Sequence, residues 1–431
     1  MQTPEEFLEA NGFVSSGLDR AALIGTFLKE MDAGLAGKPS SLAMIPAYLS
    51  PYGDVEKDTP VTVLDAGGTN LRGATIAINS DGTFPIEHKE REEMPGFSVE
   101  VDNETFYGTF AKHCARLAPF AKSKAVGFCF SYPAEAAPDG DNKLICWTKE
   151  IKAPGIVGQW VGAELAKRLS VKPSKMVLLN DTVATLLAGK ATEKDVRYSS
   201  YIGFILGTGT NVAYLEKNSN IAKLPGLGEG YMIVNAESGG FDKIEQSAFD
   251  KAMDAKLSKP GFHVFEKMIS GAYLGEVGLE IYKAAAKAGF FSPKAAAAVA
   301  ALDSLENMDF DNFCAQAQGP RPNPLDAVFA DEADRAMARR LGIPVFERSA
   351  ILTAIHLAAF ILKTGGGTDP AAPVCVNVDG STYYKTRAID FKGTVKRELD
   401  AILGPRNVSY AITGVDDAPM VGAAVAALLK G

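Results

Sequence analysis

The 431-residue sequence contains little of the chemistry that marks metal centres and disulfide scaffolds. Its five cysteines are an odd number without a C-x-x-C pair, which is typical of reduced thiols in the core of a cytosolic protein. Only four histidines are present, and none has the H-E-x-x-H or another metal-ligand spacing. The sequence therefore predicts no structural zinc site.

The chain also lacks a surplus of positive charge, a leader segment and a long apolar run. Its net charge of -8 argues against a broad nucleic-acid surface, which would need a basic face. The acidic start, residues 1–6, has neither the pattern of a signal peptide nor that of an Arg-rich transit segment. The most apolar later stretch, residues 350–362, is too short to span a bilayer and predicts a buried helix. We therefore expect a cytoplasmic protein that binds neither nucleic acid nor membrane.

What the sequence does contain is an alternation of short apolar strands with helices, which predicts the α/β class. A hydrophobic content of 47% over this length allows two sizeable cores and hence two lobes. Apolar runs at 61–64 and 201–206 each lead into a Gly/Thr turn and a second strand. Residues 374–383 are interpreted as a third strand–turn–strand unit. Two similar hairpins far apart in one chain indicate two similar half-domains that face each other.

The first Gly/Thr turn, Gly67-Gly68-Thr69, has the composition of a phosphate cradle. Its glycines let backbone amides approach a phosphate, and its threonine adds a hydroxyl donor. Asp65 before the turn suits Mg²⁺ held through water, because this cation takes only one or two carboxylates. Arg72 would add a cation near the phosphates. An ordinary hairpin turn remains an alternative, since Gly-Gly is a common turn signal.

The second turn, Gly207-Thr208-Gly209-Thr210, offers the same amides and hydroxyls. Two opposed loops of this kind would hold a polyphosphate from both sides, which suits phosphoryl transfer because that reaction depends on positioning and charge neutralisation. No G-x-x-x-x-G-K-[ST] motif is present, so a P-loop kinase is disfavoured.

Asp181 lies between an apolar strand that ends at Leu179 and a helix that starts near Thr182. An aspartate at a helix start is commonly an N-cap. The end of a strand is also where α/β folds place ligands, and an aspartate there could take the proton from an attacking hydroxyl. Both interpretations stay open on local chemistry alone.

Recognition of a sugar needs several convergent polar groups, because an unpaired buried hydroxyl destabilises the complex. The sequence offers seven candidate polar residues, but their spacing alone does not mark them as a site. Each of the two glutamates among them, taken singly, is typical of a solvated surface group. The candidates are Ser131, Thr148, Lys149, Asn180, Asn211, Glu237 and Glu266.

Eight motifs, which follow one another along the chain in the family's order, resemble those of eukaryotic-type hexokinases and glucokinases. The resemblance runs from about residue 10 to the end and is far more specific than any one motif. The matching segments are Leu64–Arg72, Phe128–Pro133, Trp147–Lys149, Asn180–Val183, Leu206–Asn211, Asn235–Glu237, Phe265–Gly271 and Val378–Gly380.

The resemblance implies a two-lobed actin-like ATPase (ribonuclease H-like) fold with the active site in the cleft between the lobes. The small lobe would contain residues 59–179 and the C-terminal helix 419–431, and the large lobe residues 1–58 and 180–418. The implied activity is that of an ATP-dependent hexokinase, which transfers the γ-phosphoryl group of Mg-ATP to the 6-hydroxyl of a hexose, glucose by default, in the first step of glycolysis. Closure of the lobes on the sugar would exclude water.

The resemblance also implies residue roles. Asp181 and Lys149 would be catalytic, with Asp181 as the general base. The hexose would be bound by Ser131, Thr148, Lys149, Asn180, Asp181, Asn211, Glu237 and Glu266. The ATP phosphates, with Mg²⁺ held by Asp65 through water, would be bound by Asp65, Gly67, Gly68, Thr69, Asn70, Arg72, Gly207, Thr208 and Gly380. The expected partners are a hexose and ATP, and the chain is expected to be a monomer or a homodimer.

Three positions depart from the family pattern. Ser238 stands where the family usually has tryptophan, Ala272 stands where it often has a longer residue, and Asp416–Met420 replaces a Gly-Ser-Gly-basic turn. The last two changes lie near the expected nucleotide end. Two alternative functions stay open, a kinase for fructose or mannose and a non-catalytic hexose sensor. The presence of Asp181 argues against the sensor, because a binding protein does not need the base.

Overall fold

The computed structural model describes residues 2–14, 17–147, 151–193 and 196–430. Its strands are β1 (Ile45–Pro46), β2 (Val61–Ala66), β3 (Asn70–Ile76), β4 (Ile86–Glu93), β5 (Ala125–Phe130), β6 (Ala134–Ala136), β7 (Asn142–Leu144), β8 (Lys175–Leu179), β9 (Ser200–Leu206), β10 (Thr210–Lys217), β11 (Tyr231–Asn235), β12 (Val374–Asp379) and β13 (Tyr410–Thr413). Its helices are α1 (Pro4–Ala10), α2 (Arg20–Leu35), α3 (Asn103–Leu117), α4 (Val161–Arg168), α5 (Asp181–Ala191), α6 (Ala248–Asp254), α7 (Val264–Ile269), α8 (Leu274–Lys287), α9 (Pro293–Ala300), α10 (Asn307–Cys314), α11 (Pro324–Val328), α12 (Glu332–Thr364), α13 (Ser381–Lys385), α14 (Phe391–Leu403) and α15 (Ala418–Leu428).

Two large sheets share one topology. The first has the strand order β4-β3-β2-β5-β8, and the second has the order β1-β11-β10-β9-β12-β13. In each sheet an antiparallel meander of three strands is extended by two strands that run parallel to its first strand. This repetition agrees with the predicted pair of similar half-domains, and the α/β class is as expected.

The five-stranded sheet uses strands between Val61 and Leu179, and the six-stranded sheet uses β1 and the strands from Ser200 onward. The central strands of the five-stranded sheet, β2 and β5, are buried at every residue, since helices cover both faces of the parallel part of this sheet. The predicted lobe boundaries, 59–179 with 419–431 against 1–58 with 180–418, remain a prediction.

Helices α5 and α15 join the two sheets. Helix α15 packs on β5 and β2, helix α5 packs on β9, and the two helices pack against each other. A Cβ atom added at Gly422 of α15 would lie 1.8 Å from the carbonyl oxygen of Ala184, and one at Gly127 would lie 2.1 Å from that of Ala423. Only glycine allows backbones to approach this closely. The C-terminal helix, which is rich in small residues, therefore packs closely on its neighbours.

Helix α12 has 33 residues and is long and apolar enough to cross a membrane by length and composition alone. However, 89% of its most apolar 18-residue window is buried inside the molecule. The predicted buried helix at 350–362 is the second half of this element, which contacts helices α2, α7, α8 and α14.

The third predicted strand–turn–strand unit, residues 374–383, is wrong in its second half. Strand β12 is followed by helix α13, in which the amide of Tyr384 donates to the carbonyl oxygen of Gly380. A returning strand would have to pair with an edge of β12, but β9 and β13 already occupy both edges. The chain must therefore leave the sheet after Asp379.

Candidate active site

Asp181 is the first residue of helix α5 and directly follows the residue that caps it. The cap is Asn180, whose Oδ1 accepts a hydrogen bond of 2.8 Å from the amide of Thr182. The Oδ1 atom of Asp181 accepts from the amide and the hydroxyl of Thr182 at 2.8 and 3.2 Å. The helix cap considered for Asp181 is therefore supplied by its neighbour, and the second carboxylate oxygen accepts no hydrogen bond from the described part of the chain.

Three other carboxyl groups surround Asp181 closely enough to feel its charge. Burial raises the pKa of Asp65, Glu237 and Asp379, and repulsion from Asp181 contributes to the rise in each. These carboxyl groups come from both sheets and from loops far apart in sequence. Asp181 therefore shares an electrostatic environment with carboxyl groups of both sheets, and clusters of perturbed pKa values are common at functional sites.

A closed hydrogen-bond network holds Glu237. Its Oε1 accepts from the amide side chains of Asn235 and Asn211 at 2.7 and 3.3 Å. The Oδ1 atom of Asn211 in turn accepts from the backbone amides of Val212 and Ser238 at 2.7 and 3.1 Å. Glu237 itself has a positive φ of 52°, a backbone conformation that is uncommon outside glycine. The network therefore fixes both the carboxylate and its strained backbone.

Glu266 joins the same site from helix α7. Its Oε2 accepts from the backbone amide of Thr210 at 3.0 Å, and its Oε1 lies 3.3 Å from Nδ1 of His263. Its side chain is 18% exposed. The interpretation of Glu237 and Glu266 as solvated surface groups is therefore wrong, because each carboxylate is held by polar groups of the second sheet and its loops.

A small cavity opens beside this network. It is lined by residues of both sheets, including Asn180, Asn235, Glu237 and Tyr132. Ser131 immediately precedes Tyr132, and its hydroxyl lies 3.7 Å from the thiol of Cys129. The cavity therefore brings together residues that the sequence placed in three separate motifs. Thr148 and Lys149 lie outside the described residues.

The first Gly/Thr turn is held by its own ends and by a tyrosine. The amide of Gly67 donates to the carbonyl oxygen of Asn70 at 3.0 Å, and the hydroxyl of Tyr132 donates to the carbonyl oxygen of Gly67 at 2.6 Å. The amides of Gly68 and Thr69 donate to no acceptor among the described residues. This turn therefore presents two free amides in a fixed loop, which is the arrangement that binds a phosphate.

The second turn is braced by two further segments. The carbonyl oxygen of Gly207 accepts from the amide of Gly271 at 2.8 Å and from the hydroxyl of Thr382 at 2.7 Å. The amide of Ala272 donates to the carbonyl oxygen of Thr208 at 3.1 Å. A Cβ atom at Gly380, whose φ is 119°, would lie 2.3 Å from the carbonyl group of Leu206. The predicted residues Gly207, Thr208 and Gly380 are therefore brought together.

Arg72 connects the first turn to the end of the chain. Its Nε donates to Oδ2 of Asp65 at 2.8 Å, and its Nη1 donates to Oδ1 of Asp417 at 2.8 Å. Burial alone would lower the pKa of Arg72, but Asp65 and then Asp417 hold it above its usual value. The lysine at position 89 lies 3.8 Å from Asp417 and is largely exposed.

Asp379 and Asp417 were not among the predicted site residues. Asp379 had a signal in the sequence, since it ends a buried strand and precedes a glycine, much as Asp65 is the last residue but one of β2 and lies two residues before Gly67. Asp417 lies in the segment Asp416–Met420 that departs from the family pattern, but its contact with Arg72 had no signal because it spans 345 residues.

The donor set fits a magnesium-bound nucleotide. Mg²⁺ keeps several waters and takes one or two carboxylates, which Asp65 and Asp379 could supply, and the free amides of Gly68 and Thr69 suit phosphate oxygens. Among the described residues, no group of three or more His, Cys, Asp or Glu side chains is arranged to hold a metal directly.

This architecture is the two-lobed actin-like ATPase fold, with the polar site and its cavity lined by residues of both sheets. The chain belongs to the hexokinase family, whose two family models match residues 13–191 and 201–429. It is accordingly a hexose kinase.

Named relatives and solved structures agree along almost the whole chain. Glucokinase-1 of Kluyveromyces lactis is 29% identical over 90% of this chain and 89% of its own, and Glucokinase-1 of Saccharomyces cerevisiae is 28% identical over 94% and 93%. A structure of hexokinase from Schistosoma mansoni complexed with glucose is 25% identical, covers 98% of both chains and has a TM-score of 0.76. A second hexokinase structure, at 23% identity and a TM-score of 0.77, agrees in fold.

Proposed function

We propose that this hexose kinase transfers the γ-phosphoryl group of ATP to the 6-hydroxyl of a hexose, with glucose as the preferred acceptor and Asp181 as the general base. The observation that carries the proposal is the place of Asp181 at the start of α5, directly after Asn180, which lines the cavity together with Asn235 and Glu237. Both yeast relatives are named glucokinases, and the Schistosoma mansoni hexokinase structure is of a complex with glucose.

We call the acceptor end of the site the group Asn180, Asn211, Asn235, Glu237 and Glu266. Its carboxylates and amide oxygens accept hydrogen bonds, and its amide nitrogens donate them, so it matches the alternating demands of sugar hydroxyls. Ser131, Thr148 and Lys149 are assigned to the same end from the family pattern. Fixed carboxylates would orient the sugar so that its 6-hydroxyl meets Asp181.

We call the donor end the two turns Gly67–Asn70 and Gly207–Thr210 with Asp65, Arg72 and Asp417. Free amides of the turns and the cation of Arg72 would bind the phosphates of the nucleotide. Bound Mg²⁺, near Asp65 and Asp379, would neutralise charge that develops on the transferred group.

In the proposed reaction the hydroxyl oxygen of the sugar forms the new bond to phosphorus while the bond to the ADP leaving group breaks. The hydroxyl proton passes to the carboxylate of Asp181, which acts as the general base. Cleft closure on the sugar would exclude water, which otherwise competes as an acceptor. A cytoplasmic location and a monomeric or homodimeric state are proposed with this activity.

Two alternatives are retained, a kinase specific for fructose or mannose and a non-catalytic hexose sensor. A coupled assay of ADP release with glucose, fructose and mannose distinguishes them, and sugar binding is measured in parallel by tryptophan fluorescence. We expect turnover with the highest kcat/KM for glucose. Faster turnover of another hexose would replace the assigned substrate, and binding without turnover of any hexose would support the sensor.

A further inference from the structure

The ion pair between Arg72 and Asp417 joins parts of the donor end that are 345 residues apart. Arg72 lies on strand β3, and Asp417 directly precedes helix α15. The Nε and Nη2 atoms of Arg72 donate to Asp65, and its Nη1 atom donates to Asp417. All three nitrogen atoms of the guanidinium group therefore donate to carboxylates before any phosphate is bound.

The ion-paired cluster of Asp65, Arg72 and Asp417 is negatively charged, whereas a phosphate site needs positive charge. One guanidinium faces two carboxylates, so the group of Asp65, Arg72 and Asp417 carries a net negative charge. The field of Asp417 also reaches Asp379, where burial and then neighbouring aspartates raise the pKa. Lys89 is the next cation, at 3.8 Å from Asp417, but its side chain is 62% exposed. A phosphate that approaches Arg72 therefore meets an acidic neighbour first.

We propose that Asp417 sets the affinity of the donor end: it holds the guanidinium group of Arg72 in the empty site and must release or share it when the phosphates of the donor bind. The inference rests on the proposed function for the assignment of this region to the nucleotide. Asp417 is a specificity-determining residue in this view, because it weakens binding of an anionic donor and leaves the acceptor end unaffected.

The backbone at position 417 allows a clean test. Asp417 has a φ of 53°, in the left-handed region that asparagine and glycine adopt readily. Asp417→Asn therefore keeps the shape and the backbone and removes only the charge, and Asp417→Gly removes the side chain in the same conformation. Asp416→Asn is the matched control, since Asp416 is exposed and forms no ion pair with the described residues.

The experiment is calorimetric titration of each variant with ATP and with its non-hydrolysable β,γ-imido analogue. We expect Asp417→Asn and Asp417→Gly to bind both nucleotides about three- to tenfold more tightly, a modest gain because the ion pair is partly exposed and solvent screens it. Asp416→Asn should stay within about twofold of the parent protein, and the KM for hexose should not change in any variant. Equal or weaker nucleotide binding in both Asp417 variants would overturn the proposal.

A double-mutant cycle separates release of Arg72 from a general field effect. In an Arg72→Gln background, Asp417→Asn should give no further gain in nucleotide affinity. A gain as large as in the parent would show that Asp417 acts without Arg72 and would reject the mechanism. Because binding is measured without turnover, this comparison stays valid even if the protein phosphorylates no hexose, which would refute the proposed function separately.

Discussion

The acceptor end and the donor end of the site hold their charges in different ways. At the acceptor end, Glu237 and Glu266 are fixed by amide groups of asparagines and of the backbone. At the donor end, Arg72 is held by two carboxylates, Asp65 and Asp417. The first arrangement leaves negative charge ready for sugar hydroxyls, whereas the second neutralises a cation that a phosphate would need.

This difference shows which groups at each end of the site are held in place before a ligand binds. A carboxylate bound by neutral amides keeps its charge and its position, so a neutral sugar can bind without displacing an ion. A guanidinium bound by carboxylates must exchange partners, so an anionic donor binds against competition. The backbone turns of the donor end are fixed in advance, while its charged side chains are not. Four predictions test this contrast, beginning with the largest effect.

Replacement of Asp181 should strongly slow phosphoryl transfer and leave hexose binding at the acceptor end nearly unchanged. We expect Asp181→Asn to lower kcat at least about 100-fold, the low end of what a general base contributes. Hexose binding, measured by calorimetry, should weaken far less, because the network around Glu237 is unchanged. Asp369→Asn is the matched control, since Asp369 lies in the loop before β12, at the opposite end of that strand from Asp379. A kcat near that of the parent would reject Asp181 as the base.

Loss of the Glu237 charge should weaken the acceptor end alone. We expect Glu237→Gln to raise the KM for hexose about 10- to 100-fold, since a hydrogen bond to a charged group contributes about 1.5–3 kcal/mol. Nucleotide affinity should stay within about twofold, because the donor end holds its charges separately. Steady-state kinetics with each substrate varied in turn measures both. An equal loss for sugar and nucleotide would contradict the separation of the two ends.

A methyl group at Gly380 should disturb the fixed backbone of the donor end. Its φ of 119° is unsuited to alanine, and the new Cβ would lie 2.3 Å from the carbonyl group of Leu206. We expect Gly380→Ala to lower the free energy of unfolding by about 2–4 kcal/mol and to raise the KM for ATP more than that for hexose.

Gly207→Ala is the control for stability, because its Cβ would meet Gly380 at an ordinary contact distance of 3.5 Å. Denaturant unfolding should show a change of about 1 kcal/mol or less in this control. If both variants were equally destabilised, crowding at Gly380 would not be the cause.

The smallest expected effect concerns the stability of the acceptor end against pH. Burial raises the pKa of Glu237 above its unfolded value of about 4.3, so protonation of this group is more favourable in the native protein than in the unfolded chain. Stability contributed by this group is present at low pH and is lost as the pH rises through the raised pKa. Glu237→Gln should therefore melt about one to two degrees above the parent at pH 8 and show no advantage near pH 4. An advantage that grows as the pH falls would reverse the assigned direction.

Much of the fold could be predicted because strands and turns are local features. The apolar runs at 61–64 and 201–206, with their glycine turns, indicated two hairpins, and both are present. The unit after residue 374 could not be predicted, since both edges of β12 are occupied by strands from elsewhere in the chain. The local composition of a strand does not show whether its two edges are free or already paired with other strands.

The candidate site likewise contains features that could be predicted from the sequence and features that could not. Asp181 and the two Gly/Thr turns stand out in the sequence because strand ends and glycines carry their own signals. The role of Asn180 as the cap of α5 could not be separated from that of Asp181, because two adjacent residues can each reach the same amide.

The sequence by itself determined the α/β class, the two phosphate-type turns and Asp181 at the start of a helix, because each depends on neighbours within a few residues. Only the tertiary structure decided that Glu237 and Glu266 are held inside the site, and that Asp417 pairs with Arg72. Such contacts depend on how β-sheets and helices distant in sequence are stacked, and an isolated carboxylate has no pattern that reveals its partner. The contrast between a prepared acceptor end and a neutralised donor end is therefore a property of the folded chain.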